Sequence, residues 1–385
     1  MKVVHYCQHV LGMGHFFRSL EIARALDHEE VIFVAGGERP DQPLPENVEY
    51  RQLPGLCMNE NFGGLMPTDK NRELKVVKEE RTATLLKIFA EERPDVFLIE
   101  LFPFGRKAFR FELLPVLDAI KDGKFGNVKV VCSLRDILVE RNDGGKHEAR
   151  VVKYLNRYFD LLLIHSDSKI ASLNETFQAF KQIEIPCEYT GFAARKLTEN
   201  VRDKIRNGLG VKTEEKLLIA SAGGGKVGGP LMQATLESFI NLDKPDSKLL
   251  MLTGPFLDDD KFEALHETAK PHQNITVQRF AADFTDLLTA GDAMISMAGY
   301  NTCMDILTSG IPAAVFPFAR NHEQRMRAER IARYIPLHIL DSTDHGEMSA
   351  AIRDLLQQKR NPTDHGINLE GAYNSSESIR KLKEN

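Results

Sequence analysis

The sequence predicts an α/β protein of two αβα domains facing each other across a cleft, and three observations carry that reading. Short runs of aliphatic and β-branched residues alternate with helical stretches along the whole chain, the pattern of parallel strands joined by helical crossovers. The pattern pauses after Thr190-Gly191 and then restarts. At 385 residues the chain is longer than one hydrophobic core ordinarily supports.

In the first half, strands are expected at Val3–Tyr6, Val31–Ala35, Val96–Glu100, Val128–Ser133 and Leu161–His165, with helices at about Phe16–Leu26, Arg72–Glu92 and His147–Tyr158. Strands recur at Leu217–Ser221, Lys248–Thr253, Ile275–Arg279, Ala293–Met297 and Ala313–Phe316. The expected domains are therefore 1–193 and 200–360, followed by a tail, 361–385. Within the tail, Ser375–Lys383 reads as a Ser-capped basic helix returning towards the first domain.

Composition narrows the class. Apolar residues make up 42% and charged residues 27%, ordinary for a folded globular chain. A net charge of −5 gives no basic field of the kind nucleic-acid binders carry, so no nucleic-acid partner is expected. Cys7, Cys57, Cys132, Cys187 and Cys303 show no C-x-x-C spacing, which argues for reduced thiols and against a cysteine metal site. The N-terminal residues lack the apolar centre of a signal peptide, and no segment approaches the roughly 20 apolar residues of a membrane span. The expectation is a cytoplasmic protein whose only membrane contact is peripheral, at the inner face.

Ligands of parallel sheets bind beyond the carboxyl ends of the strands, so motifs just after strands carry the functional signal. Gly12-Met13-Gly14-His15 follows the first strand and opens a helix, where free N–H groups favour an anion. A dinucleotide fingerprint needs a third glycine where Phe17 stands; Glu38 occupies the ribose-acid place, so NAD is disfavoured. A plain strand–helix turn with a satisfied histidine is the competing reading.

Ser221–Pro230 follows a strand and holds Gly223, Gly224, Gly225, Lys226, Gly228 and Gly229. So many glycines carry an ordering cost that a use for exposed backbone would explain. A Walker-type loop fails, because Val227 follows the lysine and Ala220 stands where the first glycine belongs. A diphosphate-cradling loop is the reading that remains, beside a merely flexible one.

Gly299 turns the chain after a strand, and a helix is expected to start near Thr302. Thr302 and Asp305 have capping-box-like spacing; Asp305 in a first turn could instead accept ribose hydroxyls. Glu323 and Gln324 follow the next strand and offer acceptors and donors suited to a polyhydroxylated ring. Asp258-Asp259-Asp260 reads as an N-cap with solvated acids rather than a metal motif.

Taken in order, these elements resemble the GT-B glycosyltransferases, most closely the MurG-like members of glycosyltransferase family 28. The resemblance spans nearly the whole chain, being specific over Ala220–Ala332 and loose in the first half outside Gly12–Leu26. It implies two Rossmann-like domains, an acceptor side in the first and a UDP-sugar donor in the second. By this resemblance Gly12 and Gly14 face acceptor and diphosphate, and Gly223–Gly228 is the phosphate loop. Phe280 and Ala281 contact uracil, while Gly299, Asn301, Thr302 and Asp305 form the ribose segment. Glu323 and Gln324 hold the donor sugar. Departures are the extra glycines, Lys226, an acid one methylene shorter at Asp305, and Glu100–Arg106 in place of the family's acceptor loop.

The expected chemistry is inverting transfer of a hexose or N-acetylhexosamine to an acceptor hydroxyl, with no metal or other cofactor. The acceptor is unidentified, lipid-linked or a small molecule. His15 is the candidate general base and Asp136 the reserve. Glu100–Arg110 reads as a strand end and helix that bury Phe102 and Phe104, or as an acceptor-site wall; Arg325–Arg333 reads as a solvated basic face. The rivals are a nucleotide-sugar hydrolase or epimerase on the same architecture, and a non-catalytic sugar-nucleotide binding protein.

Overall fold

The computed structural model describes residues 1–8, 14–37, 43–58, 64–138, 143–281, 283–319, 322–360 and 365–384. The chain divides into two compact units: Met1–Ala193 with Asn368–Asn385, and Ala194–Ile367.

The first unit runs β1 (Lys2–Cys7), α1 (Gly14–Ala25), β2 (Glu30–Ala35), β3 (Val48–Gln52), a small hairpin β4 (Leu56–Met58) and β5 (Leu65–Pro67), then α2 (Leu74–Glu92). It continues through β6 (Val96–Glu100), α3 (Arg110–Lys121), β7 (Lys129–Arg135), α4 (Lys146–Tyr158), β8 (Leu161–His165) and β9 (Cys187–Tyr189). Its seven-stranded sheet has the order β3-β2-β1-β6-β7-β8-β9, with parallel pairings throughout.

Both faces of this sheet are covered, which is why its strands read as continuous apolar runs. The two-residue period sends Val4, Tyr6, Ile32, Phe97 and Val130 into one core, and Val3, Val31, Phe33, Leu98 and Val131 into the other. The second core is closed by Phe16 and Leu20 of α1 and by Ile379 near the C-terminus.

The second unit comprises α5 (Arg202–Gly208), β10 (Lys216–Ser221), α6 (Gly229–Leu242), β11 (Ser247–Leu252), α7 (Asp259–Ala269), β12 (Ile275–Gln278) and α8 (Phe284–Ala290). It then runs β13 (Ala293–Met297), α9 (Tyr300–Ser309), β14 (Ala313–Phe316), α10 (His322–Ile331), β15 (Leu337–Ile339) and α11 (His345–Gln357). Its parallel sheet has six strands in the order β12-β11-β10-β13-β14-β15. The last helix, α12 (Gly371–Glu384), belongs to the first unit and packs against α1.

The α/β architecture with two parallel sheets is as predicted. Five strands escape the sequence reading: the short hairpin strands β4 and β5, and three strands of the parallel sheets. The edge strand β3 (VEYRQ) is polar and partly exposed, and β9 and β15 have three residues each, too few to show a period. Among the described residues, no helix is long and apolar enough to cross a membrane.

Candidate active site

Strands β1, β6, β7 and β8 are parallel neighbours, so the residues that follow them gather at one edge of the first sheet. Helix α1 starts there at Gly14 and carries His15 in its first turn. His15 Nδ1 lies 2.6 Å from Oε1 of Glu100, the last residue of β6. One helical turn on, Arg18 donates to the same oxygen at 2.7 Å. Arg106, in a left-handed backbone conformation (φ 56°), donates to Oε2 at 3.2 and 3.3 Å.

Glu100 is fully buried, and burial alone would raise its pKa. The pairing with His15 and the guanidinium charges of Arg106 and Arg18 outweigh that and hold the carboxyl well below its ordinary range. An ionised carboxylate only accepts, so Nδ1 carries the hydrogen and donates it to Glu100; the tautomer is assigned from this network. Nε2 is left with its lone pair.

His15 is pushed down to about 4, first by burial of the ring and then by the cations Arg106 and Arg18, against the pull of Glu100. The imidazole is thus neutral at pH 7, and its side chain is 23% exposed. Burial and two arginines account for this neutrality, so the helix terminus is not needed to explain it.

A second buried network lies at the end of β1. Glu112 accepts two bonds from Arg81, at 2.7 and 2.6 Å, and one from the Tyr6 hydroxyl. Arg81 also donates to Gln8 Oε1 at 2.9 Å and to the Pro54 carbonyl at 2.7 Å. This fixes Gln8, the residue after β1; Gly12, Met13 and Glu38 lie outside the described residues.

One expectation in this unit changes. Asp136 is buried, 1% exposed, and does not present an open carboxylate. Of the two readings of Glu100–Arg110, the buried one holds for Phe102 and Phe104, packed on Tyr154 and Phe177 respectively, and Arg106 turns inward to Glu100.

In the second unit the predicted residues collect at the carboxyl ends of four strands of one sheet. The glycine-rich loop follows β10, Phe280 and Ala281 follow β12, Gly299–Asp305 follow β13, and Glu323-Gln324 open α10 after β14. Backbone bonds tie the loops after β10 and β12 to the end of β11 and the loop after it: Ala222 N–H to Leu252 at 3.1 Å, Phe256 N–H to Gly224 at 2.9 Å, and Gly254 N–H to Arg279 at 2.8 Å.

The glycines of this loop divide by role. Gly225 has φ +90°, and a Cβ there would sit 2.5 Å from the Thr253 carbonyl oxygen, so its glycine is demanded by loop-on-loop packing. Around Gly224 the nearest atom to such a Cβ is on Phe256, at 3.6 Å, and around Gly223 none lies within 4 Å. Gly223 and Gly224 therefore have room on one side, beside the exposed Lys226, while the Gly223 N–H bonds the Ser221 hydroxyl at 3.3 Å and the other side packs on Gly254.

Helix α9 begins at Tyr300 with Gly299 as its N-cap, two residues earlier than expected. Thr302 and Asp305 consequently form no capping box. Asp305 sits in the second turn, beyond the strongest reach of the helix dipole. Its buried carboxylate, 2% exposed, is held by Arg195, through Nε at 3.1 Å and through Nη2. Burial raises the Asp305 pKa, and Arg195 opposes that.

Asn301 and Thr302 are half-buried in the first turn of α9, and Glu323 is buried at the start of α10. Gln324 Oε1 accepts the Phe318 N–H at 3.0 Å, fixing the loop after β14. The basic run after it is not wholly solvated: Arg327 is fully buried, its guanidinium 5.5 Å from the Tyr300 ring centre. Asp258 occupies the N-cap position of α7, where its carboxylate pairs with Lys261 at 2.7 Å, both side chains exposed.

Residues 223–379 match the model of the glycosyltransferase family 28 C-terminal domain. An uncharacterized glycosyltransferase of Methanosarcina acetivorans is 22% identical over 395 residues, covering 97% of this chain and 95% of that protein. The MurG structure from Acinetobacter baumannii superposes with a TM-score of 0.55 at 13% identity, over 100% of this chain and 99% of that one. The chain thus has the GT-B fold, and its second unit resembles the C-terminal domain of glycosyltransferase family 28. The UDP-GlcNAc 2-epimerase of Methanocaldococcus jannaschii has the same fold, with a TM-score of 0.62, 13% identity and complete coverage of both chains.

Sequence reasoning named His15 and the donor-side loops but missed Glu100 and Arg18 as partners of His15. One signal was available. Glu100 is a carboxylate ending an otherwise apolar strand, VFLIE, and such a group in a covered parallel sheet needs a cation or donor beside it.

Proposed function

We propose that this glycosyltransferase moves a hexose or N-acetylhexosamine from a UDP-sugar to an acceptor hydroxyl, with inversion and without a metal ion. The acceptor is lipid-linked or a small molecule. The observation that carries the proposal is the His15–Glu100 pair, a neutral imidazole whose tautomer leaves Nε2 able to take a proton.

In the step envisaged, Nε2 removes the acceptor hydroxyl proton while that oxygen forms a bond to the anomeric carbon. The bond from that carbon to the UDP oxygen breaks, and its electron pair leaves with UDP. Glu100 stabilises the imidazolium that forms, as a buried carboxylate does for a histidine base. The Gly224 N–H, with Lys226, meets the charge that develops on the diphosphate. Phe280 and Ala281 contact the uracil. The ribose lies along Gly299, Asn301 and Thr302, bonding lone pairs of Asp305 that Arg195 leaves unused. Glu323 and Gln324 hold the sugar, and Asp136 ranks behind His15 because it is buried.

The likeness to an epimerase supports a second reading, in which the UDP-sugar is isomerised or hydrolysed with no acceptor. Incubation with a panel of labelled UDP-sugars, with and without a cell extract as acceptor source, separates the two. A glycoside formed only with acceptor supports transfer. An isomerised or free sugar formed at full rate from donor alone would replace it with the second reading.

A further inference from the structure

Among the described residues of the second unit, four large apolar side chains are exposed: Val227, Phe256, Phe280 and Tyr334. Single exposed apolar residues are normal and need no explanation. Here, however, Val227, Phe256 and Phe280 occupy the loops after β10, β11 and β12, three adjacent strands, all at their carboxyl ends. Phe256 is 41% exposed and Phe280 39%.

The exposure of Phe256 is not the result of a loose loop. Its own N–H bonds the Gly224 carbonyl at 2.9 Å, and the next-but-one N–H before it, of Gly254, bonds Arg279 at 2.8 Å. Arg279 Nη1 holds the Leu257 carbonyl at 2.8 Å, and its Nη2 holds Asp259 at 2.5 Å. The Arg279 guanidinium also lies 4.2 Å from the centre of the Phe262 ring. Phe256 is thus pinned from both sides while its ring stays open to solvent, beside Gly224, where an added Cβ would meet Phe256 itself at 3.6 Å.

The geometry points to Phe256 as a second aromatic contact for the nucleobase of the donor nucleotide, acting with Phe280. This rests on the donor reading above. The Gly224 N–H and Lys226 offer the diphosphate its charge complement on the β10 loop. Phe256 and Phe280 stand on the next two loops along the same edge. A nucleotide whose phosphates lie at Gly223–Gly224 carries a flat, apolar-faced base as its nearest group suited to such rings. Stacking on an aromatic side chain is indifferent to base identity, so Phe256 contributes affinity and Phe280–Ala281 the contact by which uracil is recognised.

The test is calorimetric titration of UDP, and of inorganic pyrophosphate in parallel, into the full chain and its Phe256→Ala and Phe256→Tyr variants. Expected is a UDP Kd raised about 5- to 100-fold in Phe256→Ala, near-normal binding in Phe256→Tyr, and an unchanged pyrophosphate Kd. Because Phe256 is exposed, the melting temperature should be unaltered. Unchanged UDP affinity in Phe256→Ala, or an equal loss for pyrophosphate, overturns the inference while leaving the donor reading in place. Intact UDP affinity with a raised acceptor KM overturns it too, by assigning the ring to the acceptor. No UDP binding by the unaltered protein overturns the donor reading and the inference together.

Discussion

Glu100 and His15 meet at 2.6 Å across two neighbouring parallel strands and the first turn of a helix, although 85 residues separate them in sequence. The carboxylate is buried and ionised; the ring is neutral and keeps one nitrogen free of it. If this pair performs the proton abstraction, the two residues fail in different ways. His15→Ala should lower kcat by about 10²–10⁴-fold with UDP affinity nearly unchanged. His15→Gln should be as inactive as Ala, and a Gln variant with near-normal turnover would exclude His15 as the base. Glu100→Gln keeps the shape and loses the charge, so kcat should fall while KM for donor stays.

The acid limb of the rate profile follows from the pKa direction. The base must be unprotonated, and burial with Arg106 and Arg18 lowers His15 from 6.5 to about 4. Activity is therefore expected to persist down through pH 6 and to fall only towards pH 4, whereas an unperturbed histidine would halve it near 6.5. Arg106→Gln removes one of the lowering charges and should move the limb upward. A limb already at 6.5 in the unaltered enzyme would contradict the buried neutral ring.

Stability should carry a related signature. His5 and His165 are fully buried, each lowered to about 3, first by desolvation. Their folded pKa values lie below the unfolded value, so the unfolded chain takes up protons first as the pH drops. Each contributes no penalty above 6.5 and costs about 1.4 kcal/mol of stability per pH unit between 6.5 and its folded value. His165 is bonded to Ser133 at 2.7 Å and Thr190 at 3.0 Å, whereas neither His5 ring nitrogen has a hydrogen-bond partner among the described residues. Urea unfolding of His5→Phe between pH 6 and 4.5 should show a slope shallower by about that amount. An identical slope would mean that His5 titrates normally.

The two glycine roles are separable. Gly225→Ala places a methyl group against the Thr253 carbonyl at positive φ and should lower the melting temperature. Gly224→Ala meets only Phe256, at ordinary contact distance, so folding should survive while UDP affinity falls. The reverse pattern would show that Gly224 is the structural glycine.

Much of the fold was legible because parallel sheets covered on both faces leave apolar runs such as VIFVA and LLLIH, which local pattern exposes. The site was legible as far as it is local. Glycines after strands and the order of loops along the second sheet are read from neighbouring residues. Pairings across long separations were not. Arg195 reaches Asp305 over 110 positions, Arg81 reaches Glu112 over 31, and Arg327 is buried within a run of charges that looks solvated. Those depend on which strand lies beside which, and no local period records it. Asp305 shows the consequence. Its spacing from Thr302 suggested a helix cap, yet the helix starts at Tyr300 and a distant arginine takes the carboxylate.

The central claim, a UDP-sugar donor site on the second sheet working without metal, is tested most directly by titrating UDP into the protein in a chelator-treated buffer. The account predicts saturable binding that excess chelator leaves unchanged and that Asp305→Ala weakens by about 1–3 kcal/mol, the loss of a buried hydrogen-bonded carboxylate. Absence of UDP binding, or binding that appears only when a divalent cation is added back, would contradict it.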